Sequence, residues 1–156
     1  MLTLEKDYDD RKNIENFSSS YLMPMRDRWN FIPVMVQQQA ASQESVENMK
    51  ANRLRPTPDG LGISKNTQQD ADTLIGLFAP SRHNILNWER YDVSRLGDSH
   101  RELSILLNRR GNSVTTQLYF NGAANFFKEL PKVSEMADVV YSKIQKHDVN
   151  TKELWT

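Results

Sequence analysis

The sequence predicts an α/β fold: a mostly parallel sheet with a C-terminal antiparallel hairpin and flanking helices. Three observations carry this reading. Residues 32–36, Ile-Pro-Val-Met-Val, form a short, continuously apolar run rich in β-branched side chains, the pattern of a strand buried on both faces as in a parallel sheet. Leu103 to Leu107 and Val114 to Phe120 read as two strands joined by Arg110-Gly111-Asn112-Ser113, a turn in which Gly and Asn tolerate positive φ. Apolar residues at steps of three and four mark helices toward both ends of the chain.

From the N-terminus, residues 7–16 are charged and polar, and Ile14, Phe17, Tyr21, Met25 and Trp29 then fall on one helical face, with Leu22 beside them. Pro24 lies inside this run, where it either kinks the helix or starts a second short one at its first turn. Arg26, Asp27 and Arg28 occupy the remaining face as a solvated surface. The strand at 32–36 stops at Gln37-Gln38-Gln39, and in open α/β sheets the carboxyl ends of strands face the ligand crevice. Residues 40–69 contain no aromatic side chain and hold Pro56, Pro58, Gly60 and Gly62, with the cations Arg53, Arg55 and Lys65. A helical turn or two is expected over residues 45–51, and the rest reads as a long loop, which is usually functional or disordered. Asp72 to Phe78 reads as a second buried strand, and Ala79 to Arg101, polar and mixed in charge, as a surface excursion. In the hairpin, Val114, Thr116, Leu118 and Phe120 share a face by period-two alternation. Pro131 opens a last helix with the stripe Val133, Met136, Val140 and Ile144, and Lys143, Lys146 and His147 suit its C-terminal dipole.

Composition narrows the function classes. The chain has 156 residues, 20 Lys plus Arg against 20 Asp plus Glu, and a mean hydropathy of −0.68. Zero net charge rules out gross polycationic nucleic-acid binding and leaves room for a local basic patch. The absence of Cys excludes disulfides, Cys-ligated zinc and thiolate chemistry. No apolar run approaches the roughly 20 residues a membrane span needs. The stretch from Met1 to Asp7 has neither the basic nor the apolar region of a signal peptide.

Few constellations carry chemistry unaided. Gly60-Leu61-Gly62-Ile63-Ser64-Lys65 lacks the Gly-Lys pair of a phosphate-binding loop and the third Gly of a dinucleotide fingerprint, so it reads as a flexible loop. His83, His100 and His147 lack metal-ligand spacing. Asp70 and Asp72 are better read as capping the start of a strand than as holding a cation. Arg109 and Arg110 are either a solvated hairpin tip or arginines presented to another molecule's phosphate. Physics does not choose between these two.

In order, these pieces resemble the C-terminal half of the RecA-like ATPase core of DnaB-type replicative DNA helicases, in a divergent, phage-type form, over residues 11–130. Ile32-Pro33-Val34-Met35-Val36-Gln37-Gln38-Gln39 is similar to the family's strand ending in a γ-phosphate-sensing Gln, which implies that role for Gln39. Arg55-Pro56 and Gln69-Asp70-Ala71-Asp72 keep the family's spacing across its DNA-binding loop. Asn108-Arg109-Arg110-Gly111 followed by Leu118-Tyr119-Phe120-Asn121-Gly122 resembles its arginine-finger hairpin, which implies the finger role for Arg109. The chain departs from the pattern in having Leu107 where the family has Lys, Gly62-Ile63 where it has Arg-Glu, and Lys65 where it has Gly.

The resemblance implies a partial RecA-like core over residues 1–130, followed by a C-terminal helix and tail over residues 131–156. In the family the P-loop, the catalytic Glu and the Mg²⁺-binding Asp precede the stretch that Leu2-Thr3-Leu4-Glu5 resembles. ATP and Mg²⁺ are therefore expected in a complete subunit and not in the isolated chain, which is expected to be inactive. The implied partners are single-stranded DNA (through Arg53, Arg55 and Lys65), the upstream half of the same helicase and neighbouring ring subunits, in the cytoplasm of a bacterial or phage-infected cell. The competing expectation is a non-enzymatic module that binds single-stranded DNA or accompanies a ring.

Overall fold

The computed structural model describes residues 10–51, 53–60 and 67–146. Lys65, His147, the Gly62-Ile63 departure and residues 2–5 lie outside them. The chain divides into two compact units, Met1–Leu74 with Leu106–Asn112, and Ile75–Ile105 with Ser113–Thr156.

The first unit opens with the expected helical run. α1 (Asp10–Asn16) passes through a π-helical segment, Phe17–Leu22, into α2 (Met23–Trp29). Pro24 lies in the first turn of α2, so of the two expected outcomes the chain takes the new helix. The wider π turn has a physical reason at that place: Pro supplies no N–H to an i−4 bond, and the Met23 N–H reaches back to the Ser18 carbonyl. Asn30, at φ 50°, ends α2 with its N–H on the Arg26 carbonyl. The apolar stripe is largely solvated: Trp29 is 61% exposed, and Phe17 stacks on Tyr21 with both rings about half exposed.

The expected strand at 32–36 does not form. Residues 31–38 belong to no helix or strand, and Ile32, Val34 and Val36 are 89%, 84% and 90% exposed. A strand buried on both faces needs neighbours on both edges and cover on both sides, and residues 31–38 have neither among the described residues. α3 (Val46–Lys50) fulfils the helical expectation over 45–51, with Ser45 accepting the Asn48 N–H at 3.3 Å as its N-cap. α4 (Thr67–Asp70) precedes the sheet.

The sheet runs in the order β1 (Thr73–Phe78), β4 (His100–Asn108), β5 (Thr115–Asn121), β6 (Phe126–Glu129). It is antiparallel, which corrects the parallel expectation. β4 pairs with β5, and β5 with β6, in antiparallel register. The Arg109 N–H at the end of β4 meets the Asp72 carbonyl at the start of β1, as in an antiparallel pair. Residues 109–114 and 122–125 are short enough for hairpins, as expected of the C-terminal hairpin; the parallel expectation fails because its first strand, residues 32–36, does not join the sheet. The fold is thus mixed α and β without a parallel RecA-like core. β1 is an edge strand whose Ile75 and Leu77 are exposed, not the doubly buried strand expected.

Ala79 to Arg101 is not a surface excursion. It folds as a small hairpin, β2 (Asn87–Trp88) and β3 (Tyr91–Asp92), followed by α5 (Val93–Leu96). Trp88, Tyr91, Val93 and Leu96 are all buried. Glu89 and Arg90 turn the hairpin at φ 47° and 69°, the primed geometry that matches strand twist. The second unit's core is Tyr91, Leu96, Tyr119, Leu130, Tyr141 and Ile144, with Phe126, Val133, Met136 and Val140 against it. Val133, Met136, Val140 and Ile144 thus face the core as their spacing predicts. The helix itself starts late: Val133–Glu135 is a 3₁₀ turn, Ala137 is extended, and α6 is Asp138–Gln145. No helix among the described residues is long and apolar enough to cross a membrane.

Candidate functional site

The residues singled out by sequence fall in the first unit, at two places. Gln39 follows the extended segment and is half-buried. Its Nε2 points at the Thr57 carbonyl from 3.4 Å, and its Oε1 is buried without a protein partner. The Ala40 N–H donates to the Gly60 carbonyl at 2.8 Å. Gly60 is needed here because a Cβ would lie 2.1 Å from the Gln39 oxygen. Arg53 is exposed and Arg55 half-buried, flanking buried Leu54 and Pro56.

Arg109 and Arg110 form the second place. The Arg109 N–H donates to the Asp72 carbonyl at 3.0 Å, its Nε to the Ala71 carbonyl at 2.9 Å and its Nη2 to the Gln69 carbonyl at 2.6 Å. The last turn of a helix leaves carbonyls without intrahelical partners, and the guanidinium serves those at the end of α4. The Arg110 N–H donates to Asn108 Oδ1 at 3.2 Å, while the Arg110 side chain is exposed. The neighbouring carboxylates are engaged elsewhere: Asp70 accepts from Ser18 Oγ at 2.6 Å, and Asp72 pairs with Arg26 at 3.1 Å. Among the described residues, Gln39 and Arg109 share no hydrogen bond or ion pair. Among the described residues, no group of three or more His, Asp or Glu side chains is placed to hold a metal ion.

The second unit holds a buried polar network that the sequence did not reveal. His100, Glu102 and Ser104 alternate along β4 and so share one face, opposite Tyr119, Gln117 and Thr115 of β5. Glu102 is fully buried; its Oε2 accepts from Trp88 Nε1 at 2.7 Å and from Gln117 Nε2 at 2.8 Å. Gln117 Oε1 lies 2.8 Å from His100 Nε2, and Ser104 Oγ lies 3.4 Å from Glu102 Oε1 and 3.1 Å from Thr115 Oγ1. Polar alternation of this kind ordinarily marks a solvated strand face. The aromatic residues that meet it, Trp88 through its hydrogen bond to Glu102 and Tyr91 with its ring 5.8 Å from that of His100, are distant in sequence from β5.

His100 links this network to pH. Burial pushes its imidazole below the ordinary value of 6.5, against the Gln117 hydrogen bond and the field of Glu102, while buried Arg101 adds to the lowering. The unfolded chain therefore takes up a proton before the folded one. The associated stability is present above the ordinary histidine value and is lost as pH falls from about 6.5 toward the folded value. Thermal melts between about pH 8 and about pH 5.5 should show a smaller acid-induced drop for His100→Asn than for the parent. An equal drop in both would exclude His100 as the source.

No protein-family model matches the chain, and no curated protein matches it.

Proposed function

We propose that the chain is part of a DnaB-like hexameric replicative DNA helicase. In this reading Gln39 senses the γ-phosphate, the loop over residues 40–66 faces single-stranded DNA through Arg53, Arg55 and Lys65, and Arg109 supplies a trans-acting arginine. The observation that supports it best is the hairpin of β4 and β5, which ends in two adjacent exposed arginines on a backbone pinned to Asp72 and Asn108. A cation on such a support neutralises charge developing on a transferred phosphoryl group held by a neighbouring subunit. Fingers of this kind contribute about 10³ to 10⁵ in rate in GTPases, or roughly 4 to 7 kcal/mol.

The exposed apolar side chains of Ile32, Val34 and Val36 offer a surface to the upstream half of such a subunit. The test is to join the chain to the upstream half of such a subunit. The chain alone should release no phosphate from ATP, and the complete subunit should do so in the presence of single-stranded DNA. A well-folded complete subunit without DNA-stimulated turnover would overturn the reading.

A further inference from the structure

The four-stranded sheet ends in β1 on one side and β6 on the other, and the two edges differ in chemistry. We infer that β1 is an interface between two copies of this chain, which pair antiparallel through its open side about a two-fold axis. The inference goes beyond the helicase reading and does not rest on it.

In the strand order β1 has β4 as its one neighbour, and among the described residues no other segment pairs with its second side. A row of unpaired N–H and C=O groups is a template for one kind of occupant, another extended backbone. Folded proteins ordinarily protect such an edge with charge, with Pro or with a covering element. Thr73-Leu74-Ile75-Gly76-Leu77-Phe78 holds neither a charged residue nor Pro. Cover is missing as well, because Ile75 is 58% and Leu77 51% exposed. A short uncharged segment of high β-propensity is the composition that recruits further strands. The opposite edge is protected in the ordinary way: Lys128 and Glu129 lie in β6.

A second copy fits this edge. An antiparallel pair is compatible with a two-fold axis, so one strand serves as both partners. With the axis normal to the sheet and passing through Gly76, Ile75 of each copy lies opposite Leu77 of the other. Both side chains stay on one face, as period two requires, and each gains an apolar cross-strand neighbour. No charge meets its like in this pairing, because the strand has none. The formal net charge of the whole chain is zero, so two copies approach without the self-repulsion that keeps charged proteins apart. The pairing also closes on itself. It consumes the bare edge of each four-stranded sheet and leaves the charged β6 edges outside, which ends assembly at a dimer and not at a fibre. Two strands of this length bury less than the roughly 1,200 Å² of a stable interface, so the dimer is weak and its population follows concentration.

Sedimentation velocity of the intact chain, from about 5 μM to about 1 mM, should show a monomer–dimer equilibrium. Ile75→Lys and Leu77→Lys alter exposed side chains. Each should leave the thermal melt of the dilute chain nearly unchanged and weaken dimerisation about tenfold or more. Ile32→Lys, at an exposed apolar position outside the sheet, should leave dimerisation as it is. The chain has no Cys, so Thr73→Cys places a single nitroxide label on β1. Double electron–electron resonance should then give a label separation on the order of 20 Å, the rise of about six strand residues. A chain that is monomeric at every concentration, a dimer insensitive to both β1 Lys substitutions, or a label separation well beyond this would each overturn the inference. Growth past the dimer into large assemblies would overturn the closed two-fold arrangement. Should the Lys variants fail to fold, the label separation decides alone.

Discussion

Glu102→Ala is expected to destabilise the chain by about 2 to 6 kcal/mol, because it leaves at least two buried donors without their acceptor at about 1 to 3 kcal/mol each. Trp88 Nε1 and Gln117 Nε2 both end on Glu102 Oε2, and neither indole nor amide has solvent to turn to. Domains of this size are stable by about 5 to 15 kcal/mol, so the change takes away a large share of the total. Glu102→Gln is the graded control. It keeps one carbonyl oxygen for one of the two donors and should fall between the parent and the Ala variant. Urea denaturation followed by circular dichroism measures all three. An Ala variant with the parent's midpoint would mean that the donors have found other acceptors and that the network does not hold β4 to β5.

The hairpin of β4 and β5 was legible in the sequence because its signals are local: an apolar run, a Gly-Asn turn, and period-two alternation in the strand after it. The helix before Trp29 was legible for the same reason, as was the core-facing stripe of Val133, Met136, Val140 and Ile144, whereas Pro24 left a kink and a new helix both open. The segment at 32–36 was misread because an apolar β-branched run specifies affinity for a sheet, not the presence of one. Pairing depends on neighbours that the described residues do not supply. Ala79 to Arg101 was misread for the converse reason. Its polar composition conceals Trp88, Tyr91, Val93 and Leu96, which are buried by contacts remote in sequence.

The candidate site divides in the same way. Adjacent arginines beside a glycine can be read as a turn, but the bonds that hold the Arg109 guanidinium cannot. They end on carbonyls some forty residues away, at Gln69 and Ala71. The buried Glu102 network was invisible because its alternation of polar side chains is the pattern of a solvated face. Contacts from Trp88 and Tyr91 accompany its burial.

Ending the chain after Leu130 is expected to abolish cooperative folding of the second unit. The residues beyond that point supply Tyr141 and Ile144, which are 6% and 1% exposed, and the packing of Val133, Met136 and Val140. A buried side chain of this size contributes roughly 1.5 to 3 kcal/mol, so two buried and three partly buried ones together contribute about 5 to 10 kcal/mol, an upper figure given a compact denatured state. Polar losses add to this. The Tyr91 hydroxyl loses the Pro131 carbonyl at 2.8 Å, and the Asp92 N–H loses the Tyr141 hydroxyl at 3.2 Å. Arg95 loses both Asp138, at 2.7 Å, and the Tyr141 ring, 4.1 Å from its guanidinium carbon. The sum is comparable with the whole stability of an ordinary domain. Ile144→Ala scales the effect down to a cavity costing about 2 to 5 kcal/mol, and Tyr141→Phe to a lost hydrogen bond worth about 0.5 to 1.5 kcal/mol. Thermal melts of the three variants should therefore rank truncation, then Ile144→Ala, then Tyr141→Phe, from most to least destabilised. A truncated chain that keeps a sharp melt near the parent's temperature would show that β4, β5 and β6 close their own core, and that the helix after Pro131 is an accessory to it.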